Sequence, residues 1–490
     1  MGKILGHLEP KRVFHFFEEV LSIPHESGNE KELSDYCVKF AQDRGLSVIQ
    51  DQFNNIIIEK PATPGYEDRP GVILQGHLDM VCVADPGVEI DFAKDPIPMY
   101  IDGDYVRAHG TTLGSDDAHA MALALAVLDD DSLKHPMLQV VFTVEEETTF
   151  AGAENIDGNL LKGKYMIGID YHDDELILTS CGGSSENTAV LPTGWTALKN
   201  PADYAFLKLQ MADAVSGHSG IDINNCSINC VKLMGELLTL IDGKFDMELL
   251  KIEGGNQTNV IAKWADAEIA VPKAQEEEVK AFVADFAVIM DRKYRDIDPD
   301  FKLTASTMDA PAEARALTAK DALLKLLDVH PNGVVTWLNP AERVVESSLN
   351  MGSIRTHEDK VVLSTLIRSN TDHFHDELIR KVKTIIELVG GEHVLSAKAA
   401  SWGYNPDSQL LVQSAAIYEE LFEKKPILQL THGQLETGAL IQKIQECGRE
   451  VEAIGIGPTS HGAHTTSEDL YIPSMQKMYD FICKMLEELK

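Results

Sequence analysis

Short apolar runs that end in histidines or acidic residues limit the fold of this chain more than any other feature. Four such runs, GVILQ, LQVVFTV, YMIGI and VEAIGIGP, have the length and composition of buried strands. Between the first two lies DDAHAMALALAVLDD, which predicts a helix because it is rich in alanine and leucine and lacks glycine and proline. Strands that alternate with helices predict an α/β layer.

The domain organisation follows from a change of pattern near Gly182-Gly183. From residue 186 to 394 the segments are longer and amphipathic and include alternating strands such as KVVLSTLIRSN, which predicts an inserted α+β unit. The buried-strand pattern then returns, and SMQKMYDFICKMLEELK closes the chain as a predicted helix. Because 490 residues exceed one compact core, we expect an α/β domain of residues 1–185 and 395–490 that is split by the insertion.

Three local signals predict individual elements in the first part of the chain. A helix begins after Pro10 and ends at Leu21. The segment SVIQDQFNNIIIEK predicts two strands that turn at Asn54-Asn55. Asp102-Gly103 has the residue types of a tight hairpin turn. All three fit an α/β layer.

The charge of the chain excludes several classes of partner. Lys and Arg total 43 against 78 Asp and Glu, and the formal net charge of -35 repels phosphate backbones and anionic lipid surfaces. The first residues lack an apolar leader, and no run of about 18 apolar residues occurs. The seven scattered cysteines do not predict a disulfide framework. We therefore expect a cytoplasmic protein that binds neither nucleic acid nor membranes.

Polar residues follow each buried run, where the functional crevice of an open α/β sheet lies. Two of them, His77 and Asp79, are two residues apart in an extended segment, so their side chains point the same way. The other residues that follow the runs are Glu145, Glu146, Glu147, Asp170, His461 and His464, and Asp116 and Asp117 join them from the start of the alanine-rich helix. We expect these side chains to converge at one end of one sheet.

Each of these residues alone has a simpler explanation. Asp116 and Asp117 suit the first turn of a helix, and glutamates that follow a strand often form a solvated turn. Their joint placement favours a binding site instead. Histidines mixed with several carboxylates suit zinc, manganese or cobalt. Because the ligands are too many for one tetrahedral ion, we expect two ions that share a bridging carboxylate.

Six motifs, taken in order, resemble a known family. They are GHLDMV, GTTLGSDD, TVEEETTFAGA, IGIDYHDDELILTSCGG, SGHSGIDI and IGPTSHGAHTTSED, and they extend over nearly the whole chain. In order and content they resemble the M20 family of di-zinc metallopeptidases. The resemblance implies a mixed-sheet catalytic domain, an inserted α+β lid domain through which subunits dimerise, and two Zn2+ per subunit, with Co2+ or Mn2+ as possible substitutes.

The resemblance also implies roles for the residues at the strand ends. It gives five metal ligands: His77 and Asp170 for one ion, Glu147 and His464 for the other, and Asp116 as the bridge between them. Asp79 would orient His77. Glu146 would be the general base that takes a proton from a water bridging the metals, and the resulting hydroxide would attack the peptide carbonyl.

Two motifs depart from the family pattern. Relatives usually have Asp-Glu-Glu where this chain has three consecutive glutamates, but the spacing from Glu147 to Gly152 matches the family and selects Glu146 as the base. The segment AHTTSE replaces the usual Pro-His-Ser-Pro before the glutamate. Counting from GPT favours His464 as the ligand, and His461 stays the alternative.

Residues of the inserted unit would bind the substrate. The resemblance assigns His218 of SGHSG to the tetrahedral oxyanion, in the active site of the partner subunit, and Arg368, assisted by Asn259, to the substrate carboxylate. It also implies that THGQLETG lines the pocket with His432 and Glu436. Taken alone, His218 could be a structural histidine in a glycine-rich turn, and Arg368 could form a surface ion pair.

The resulting hypothesis is a cytosolic, homodimeric metallo-dipeptidase that acts foremost on Xaa-His and carnosine-like dipeptides. An N-acyl-amino-acid amidohydrolase with the same metal centre is the alternative enzyme. A catalytically inactive metal-binding scaffold is a third possibility. The presence of Glu146 argues against the scaffold, because metal binding alone needs no base at that position.

Overall fold

The four buried apolar runs of the sequence become neighbouring strands of one sheet in the computed structural model, which describes residues 4–490. The chain divides into two units. Unit 1 is the chain up to Ser180 together with Tyr404–Leu430 and Leu435–Lys490, and unit 2 is Cys181–Gly403 together with Thr431–Gln434. None of the helices within residues 4–490 has the length and apolar character needed to span a bilayer. All seven cysteines are free thiols.

The helices and strands follow one another in three stretches. Unit 1 begins with α1 (Lys11–Leu21), α2 (Lys31–Asp43), β1 (Ser47–Gln50), β2 (Ile56–Lys60), β3 (Val72–His77), β4 (Met99–Asp102), β5 (Tyr105–Ala108), α3 (Ser115–Leu128), β6 (Leu138–Thr143), α4 (Ala151–Asn155), β7 (Tyr165–Gly168) and β8 (Leu176–Leu178). Unit 2 contains β9 (Gly183–Pro192), β10 (Trp195–Ala197), β11 (Tyr204–Ala212), α5 (Cys230–Asp242), β12 (Glu248–Gly255), β13 (Ala265–Pro272), α6 (Glu276–Tyr294), β14 (Lys302–Met308), β15 (Arg315–Leu317), α7 (Lys320–Val329), β16 (Gly333–Asn339), β17 (Val344–Thr356), β18 (Lys360–Ser369), α8 (Asp372–Leu388) and β19 (Glu392–Ala399). Unit 1 ends with α9 (Gln409–Phe422), β20 (Ile427–Gln429), α10 (Glu436–Glu446), β21 (Glu452–Gly455), β22 (Ser460–His461), β23 (Asp469–Tyr471) and α11 (Ile472–Glu488).

The main sheet of unit 1 has eight strands in the order β1-β2-β6-β3-β7-β21-β8-β20. Its central strands β6, β3, β7 and β21 are mutually parallel. Every residue of β3, β6 and β7 is buried, because helices cover parallel sheets on both faces and leave no polar side to alternate with. The carboxyl ends of the four central strands therefore lie at one edge, as the sequence predicted.

Helix α3 lies inside the core of unit 1. All fourteen of its residues are buried, which matches its nearly unbroken alanine and leucine content. The apolar core joins α3 to β3, β6 and α11 through residues such as Leu123, Leu74, Phe142 and Phe481. The N-terminus of this helix, with Asp116, is thus held by the most deeply buried part of the unit.

The local predictions for the first part of the chain are confirmed, with one small shift. Helix α1 has the predicted bounds, and the turn between β1 and β2 contains Asn54, whose φ of 77° is in the left-handed region. Strands β4 and β5 form the predicted hairpin. Its two-residue loop is Gly103-Asp104, one residue later than expected, because Asp102 already pairs with Tyr105.

Unit 2 consists of two modules with the same βαββαβ connectivity. The inner module is β11-α5-β12-β13-α6-β14, within Tyr204–Met308, and its strands lie in the order β14-β11-β13-β12. The outer module is β9-α7-β17-β18-α8-β19, and its strands lie in the order β19-β9-β18-β17. Relative to chain order both sequences read fourth, first, third, second. The inner module is inserted between β9 and α7 of the outer one.

The two modules join edge to edge into one antiparallel sheet. Strands β12 and β17 form the seam, with Gly254 opposite Ile354. Residues of α5, α6, α7 and α8 share one apolar core beneath the sheet, including Leu237, Val283, Leu327 and Val382. The α+β character predicted for the insertion is confirmed.

Candidate active site

His77 ends strand β3 and is fixed on both sides of its ring. The side chain is only 1 % exposed. Its Nδ1–H donates to the carbonyl oxygen of Asp79 at 3.0 Å, while Nε2 lies 3.0 Å from Asp116 Oδ1. Its backbone N–H donates to Asp117 Oδ2, an approach that Gly76 permits because a Cβ there would lie 2.5 Å from that oxygen. The Nδ1 hydrogen bond leaves Nε2 as the atom available to a metal.

The Asp79 carboxylate holds the glutamate turn more directly than it holds His77. Oδ1 accepts the N–H of Glu146 at 2.9 Å, and Oδ2 accepts the N–H of Glu147 at 3.2 Å and the hydroxyl of Ser27 at 2.7 Å. Oδ1 is 3.4 Å from His77 Nδ1. Burial raises the pKa of Asp79, whereas the hydrogen bonds from His77 and the other donors lower it. The lowering is the larger effect, so the pKa of Asp79 is below its usual range.

Asp116, in the first turn of α3, lies among three histidines. Its Oδ1 faces His77, and its Oδ2 lies 3.3 Å from His464 Nε2 and 3.4 Å from His172 Nε2. Burial raises the pKa of Asp116, yet the hydrogen bonds from His172, His464 and His77 hold it well below its usual range. Both oxygens of one buried carboxylate thus face nitrogen ligands on different segments.

Two groups of side chains with metal-ligand chemistry share Asp116. One is His77, Asp116 and Asp170, and the other is Asp116, Glu147 and His464; within each group the ligand atoms lie within 4.8 Å of one another. The structure thus brings together the five residues that the resemblance implies as ligands, grouped as the resemblance implies. His464 Nε2 lies 2.8 Å from Glu147 Oε1, so the two side chains form an ion pair when the histidine is protonated.

The electrostatics of the site fit a bound cation. Burial, and then the charge of Asp116, raise the pKa of Asp170 to about 7. Burial also raises the pKa of Glu146 well above its usual range, against the opposing effect of His77. Buried carboxylates that repel one another are the donor set that a divalent metal would satisfy.

Glu146 lies next to both groups without completing either. It forms a third cluster with His77 and Glu147 in which the ligand atoms are again within 4.8 Å. His461, the alternative final ligand, belongs to none of these clusters. Its side chain is 59 % exposed and its Nδ1 pairs with Asp469 at 2.9 Å. The geometry favours His464 over His461.

The two substrate-binding candidates His218 and Arg368 lie next to each other in unit 2. His218 follows β11 of the inner module and Arg368 ends β18 of the outer module, and His218 Nε2 is 3.5 Å from Arg368 Nη2. The N–H of Gly220 donates to His218 Nδ1 at 3.2 Å, a shorter contact than the 3.5 Å between Nε2 and the donor Arg368 Nη2, and on this basis the proton of the neutral ring is assigned to Nε2. Burial and then Arg368 lower the pKa of His218, which favours this neutral form. Two donors therefore face the same space.

Arg368 has no carboxylate partner among its hydrogen bonds. The residue is 5 % exposed, its Nε donates to Ser219 Oγ at 3.3 Å, and its buried Nη1 has no partner. Burial lowers the pKa of Arg368 to about 10. Arg368 is therefore buried and does not form the surface ion pair that was the alternative from the sequence. Asn259 contributes its carbonyl oxygen, which accepts the N–H of Ser219, while its side chain is exposed.

His432 and Glu436, predicted together as pocket residues, lie in different units. In unit 2, His432 Nδ1–H donates to Asn370 Oδ1 and Nε2 accepts from Ser348 Oγ, both at 2.8 Å, so its ring is fully engaged. Burial lowers the pKa of His432 to about 3. In unit 1, Glu436 Oε2 accepts from Gln75 at 2.9 Å and from Thr143, and only Oε1 has no partner. Burial raises the pKa of Glu436 to about 8.

Sequence reasoning missed three residues that surround the ligands. His172 lies 3.4 Å from Asp116, and the two ring nitrogens of His119 face the carbonyl oxygens of Ser115 and Ile169, which can only accept a hydrogen bond. Glu468 binds the loop that precedes α3. His172 follows Asp170 by two residues, and the rule that linked His77 to Asp79 could have identified it. Glu468 offered no comparable signal.

The fold and this site define a metallopeptidase, and the chain belongs to peptidase family M20/M25/M40, whose model matches residues 73–488. It is 34% identical over 487 residues to the cytosol non-specific dipeptidase of Escherichia coli (strain K12), with 99% of both chains covered. It is also similar to the aminoacylhistidine dipeptidase from Vibrio alginolyticus, with a TM-score of 0.92, 30% identity, and 99% of this chain and 98% of that chain covered. The aminopeptidase PepT from Bacillus cereus, at 16% identity and a TM-score of 0.57 over 98% of this chain and 99% of that chain, shares the fold.

Proposed function

We propose that this protein is a metal-dependent dipeptidase that hydrolyses Xaa-His and related dipeptides. One observation carries the assignment: Asp116 belongs to two ligand groups at once, which is the arrangement that two neighbouring metal ions require. The relatives reported above, which are named as dipeptidases and align over nearly the full chain, support the substrate class.

We assign the metal ligands as the sequence implied. His77 and Asp170 would hold one Zn2+, Glu147 and His464 the other, and Asp116 both, with Co2+ or Mn2+ as substitutes. When bound, the ions would polarise the peptide carbonyl and lower the pKa of the attacking water. Asp79 fixes the backbone of the glutamate turn and so aims the side chains of Glu146 and Glu147.

Glu146 is the proton carrier in this proposal. Its carboxylate takes a proton from the attacking water and returns it to the nitrogen of the leaving amino acid, and each transfer lowers the barrier by avoiding a strong free base or acid. The deprotonated form is the active one. The neighbouring cations would lower the pKa of Glu146, which burial otherwise raises.

Unit 2 supplies the groups that recognise the substrate. Arg368 offers a buried guanidinium with unsatisfied N–H groups to a terminal carboxylate, and His218 offers its Nε2–H to the oxyanion of the tetrahedral state. Asn259 assists this pair because its carbonyl oxygen fixes the backbone of Ser219. His432 and Glu436 contribute by fixing the side chains to which they are hydrogen-bonded. We further propose that the protein is cytosolic and forms a homodimer through unit 2.

An activity panel tests the function. The purified protein is assayed with zinc and after chelation on Xaa-His dipeptides including β-alanyl-histidine, on other dipeptides, on a tripeptide and on N-acetylated amino acids. Cleavage of dipeptides that is lost on chelation and restored by zinc is the expected result. A preference for N-acetylated amino acids would identify an amidohydrolase, and tightly bound metal without any turnover would identify a scaffold.

A further inference from the structure

Glu468 is a buried carboxylate that binds the backbone in front of helix α3. It is 2 % exposed. Its Oε2 accepts the N–H groups of Leu113 at 2.8 Å and Gly114 at 2.9 Å, and its Oε1 accepts the N–H of Asp116 at 3.3 Å. One side chain thus accepts three backbone hydrogen bonds from a loop that lies about 350 residues earlier in the chain.

The loop needs such an acceptor because its N-cap residue cannot supply one. The first N–H groups of a helix have no partner within the helix, and a polar side chain at the N-cap position usually accepts one of them. Here the N-cap is Gly114, which has no side chain, and its φ of 72° is in the left-handed region that favours glycine. Glu468 takes the place of the missing cap.

Glu468 also belongs to the segment that carries His464. Its N–H donates to the carbonyl of Thr465, which closes the turn after the histidine. The side chain of His464 is 49 % exposed, so packing gives it little support. Because the carboxylate of Glu468 is buried and bound to the loop that contains Asp116, it anchors the segment that carries His464.

We propose that Glu468 is a positioning residue that holds Asp116 and His464 in register, so that the group Asp116, Glu147 and His464 is assembled before metal arrives. The proposal rests on the proposed function, because it concerns the same metal centre. It differs from a purely structural cap in its consequence. Losing Glu468 should weaken one metal site more than the other, because two of the three members of that group depend on it.

The test compares Glu468→Gln with Ser467→Ala in the full-length protein. The amide keeps the shape of the side chain but turns an acceptor into a donor, so part of the N–H set loses its partner. Ser467 is the matched control, since it lies next to Glu468 and bonds only within its own segment, to Thr465. Metal-free protein is examined by hydrogen exchange of the peptide that contains residues 113–116, and Zn2+ binding is followed by native mass spectrometry.

For Glu468→Gln we expect exchange of residues 113–116 at least about tenfold faster, and one of the two zinc affinities lowered about 10- to 100-fold, the usual effect of losing a residue that orients ligands. Ser467→Ala should match the wild type in both. Unchanged exchange, unchanged zinc affinities, or an equal loss at both sites would overturn the proposal. If Glu468→Gln unfolds, the same measurements on Glu468→Asp, which keeps the charge on a shorter side chain, should show the same unequal loss. Neither measurement uses a substrate. A protein without peptidase activity would therefore refute the proposed dipeptidase function but would not affect the proposed role of Glu468.

Discussion

We expect Arg368 to be needed for activity and, at the same time, to destabilise the folded protein. Replacing it with methionine removes a guanidinium that is 5 % exposed and has no carboxylate partner. Burial lowers the pKa of Arg368 to about 10, because holding the guanidinium away from water costs on the order of a few kcal/mol, and a methionine of similar volume avoids that cost. We therefore expect Arg368→Met to unfold at a higher temperature than the wild type.

The same variant should lose the ability to recognise a terminal carboxylate. Two charge-assisted hydrogen bonds contribute about 3 kcal/mol or more, so kcat/KM for free dipeptides should fall about a hundredfold or more. The decisive assay compares a dipeptide with its C-terminal amide. The wild type should prefer the free acid by about that factor, whereas Arg368→Met should treat both nearly alike.

Two results would refute this reasoning about Arg368. A variant that loses activity equally on the acid and on the amide would show that the arginine does not contact the carboxylate. A variant that unfolds at a lower temperature would show that the guanidinium has a stabilising partner in the free protein. Adding the product amino acid provides a further control, because it should stabilise the wild type by binding and leave Arg368→Met unchanged.

The remaining predictions concern the metal centre and His218. Glu146→Gln should lower kcat at least about a hundredfold while metal analysis still finds two ions per chain; loss of a metal would assign Glu147 the role of base instead. His464→Ala should lose occupancy of one site and His461→Ala should not, as measured by metal analysis, and the reverse result would exchange their roles. His218→Ala should keep its metals and dimer and lose about 10²- to 10³-fold in kcat. Mixed dimers of His218→Ala with Glu146→Gln should regain partial activity if His218 serves the partner subunit, and mixed dimers verified by mass spectrometry that stay inactive would rule that out. Mixed dimers of His218→Ala with Arg368→Met should remain inactive, because the two donors lie side by side in one chain and serve one site together.

The parts of the site that sequence reasoning could predict are those that follow from strand geometry. Parallel strands end at one edge, so residues at the end of β3 or within a few positions after β6 and β7 had to converge there. His77, Glu147 and Asp170 all come from such positions. The resemblance to a known family then separated His464 from His461, which spacing alone left open.

The contacts that escaped prediction are those between segments remote in sequence. Nothing near Glu468 indicates that its partners are Leu113 and Gly114, because that pairing depends on where a buried helix begins in three dimensions. The neighbouring positions His432 and Glu436 read as one pocket motif, yet the chain passes between units at Leu435. The two modules of unit 2 share connectivity without any repeat that is visible in the sequence, because the same arrangement of strands and helices can be encoded by different apolar residues.

The insertion of one module inside another imposes an order on biosynthesis. Strand β9 is made early, but its partner β18 is about 170 residues further along the chain, with Pro192 opposite Lys360. At ribosomal rates of about 5–20 residues per second, β9 waits roughly 10 to 30 s for that partner. The inner module, whose strands pair only among themselves and with β17, can fold during this interval. A nascent chain of this protein therefore carries a partly folded inner module behind the unpaired first strand of the outer one, and a chaperone is well suited to shield that strand.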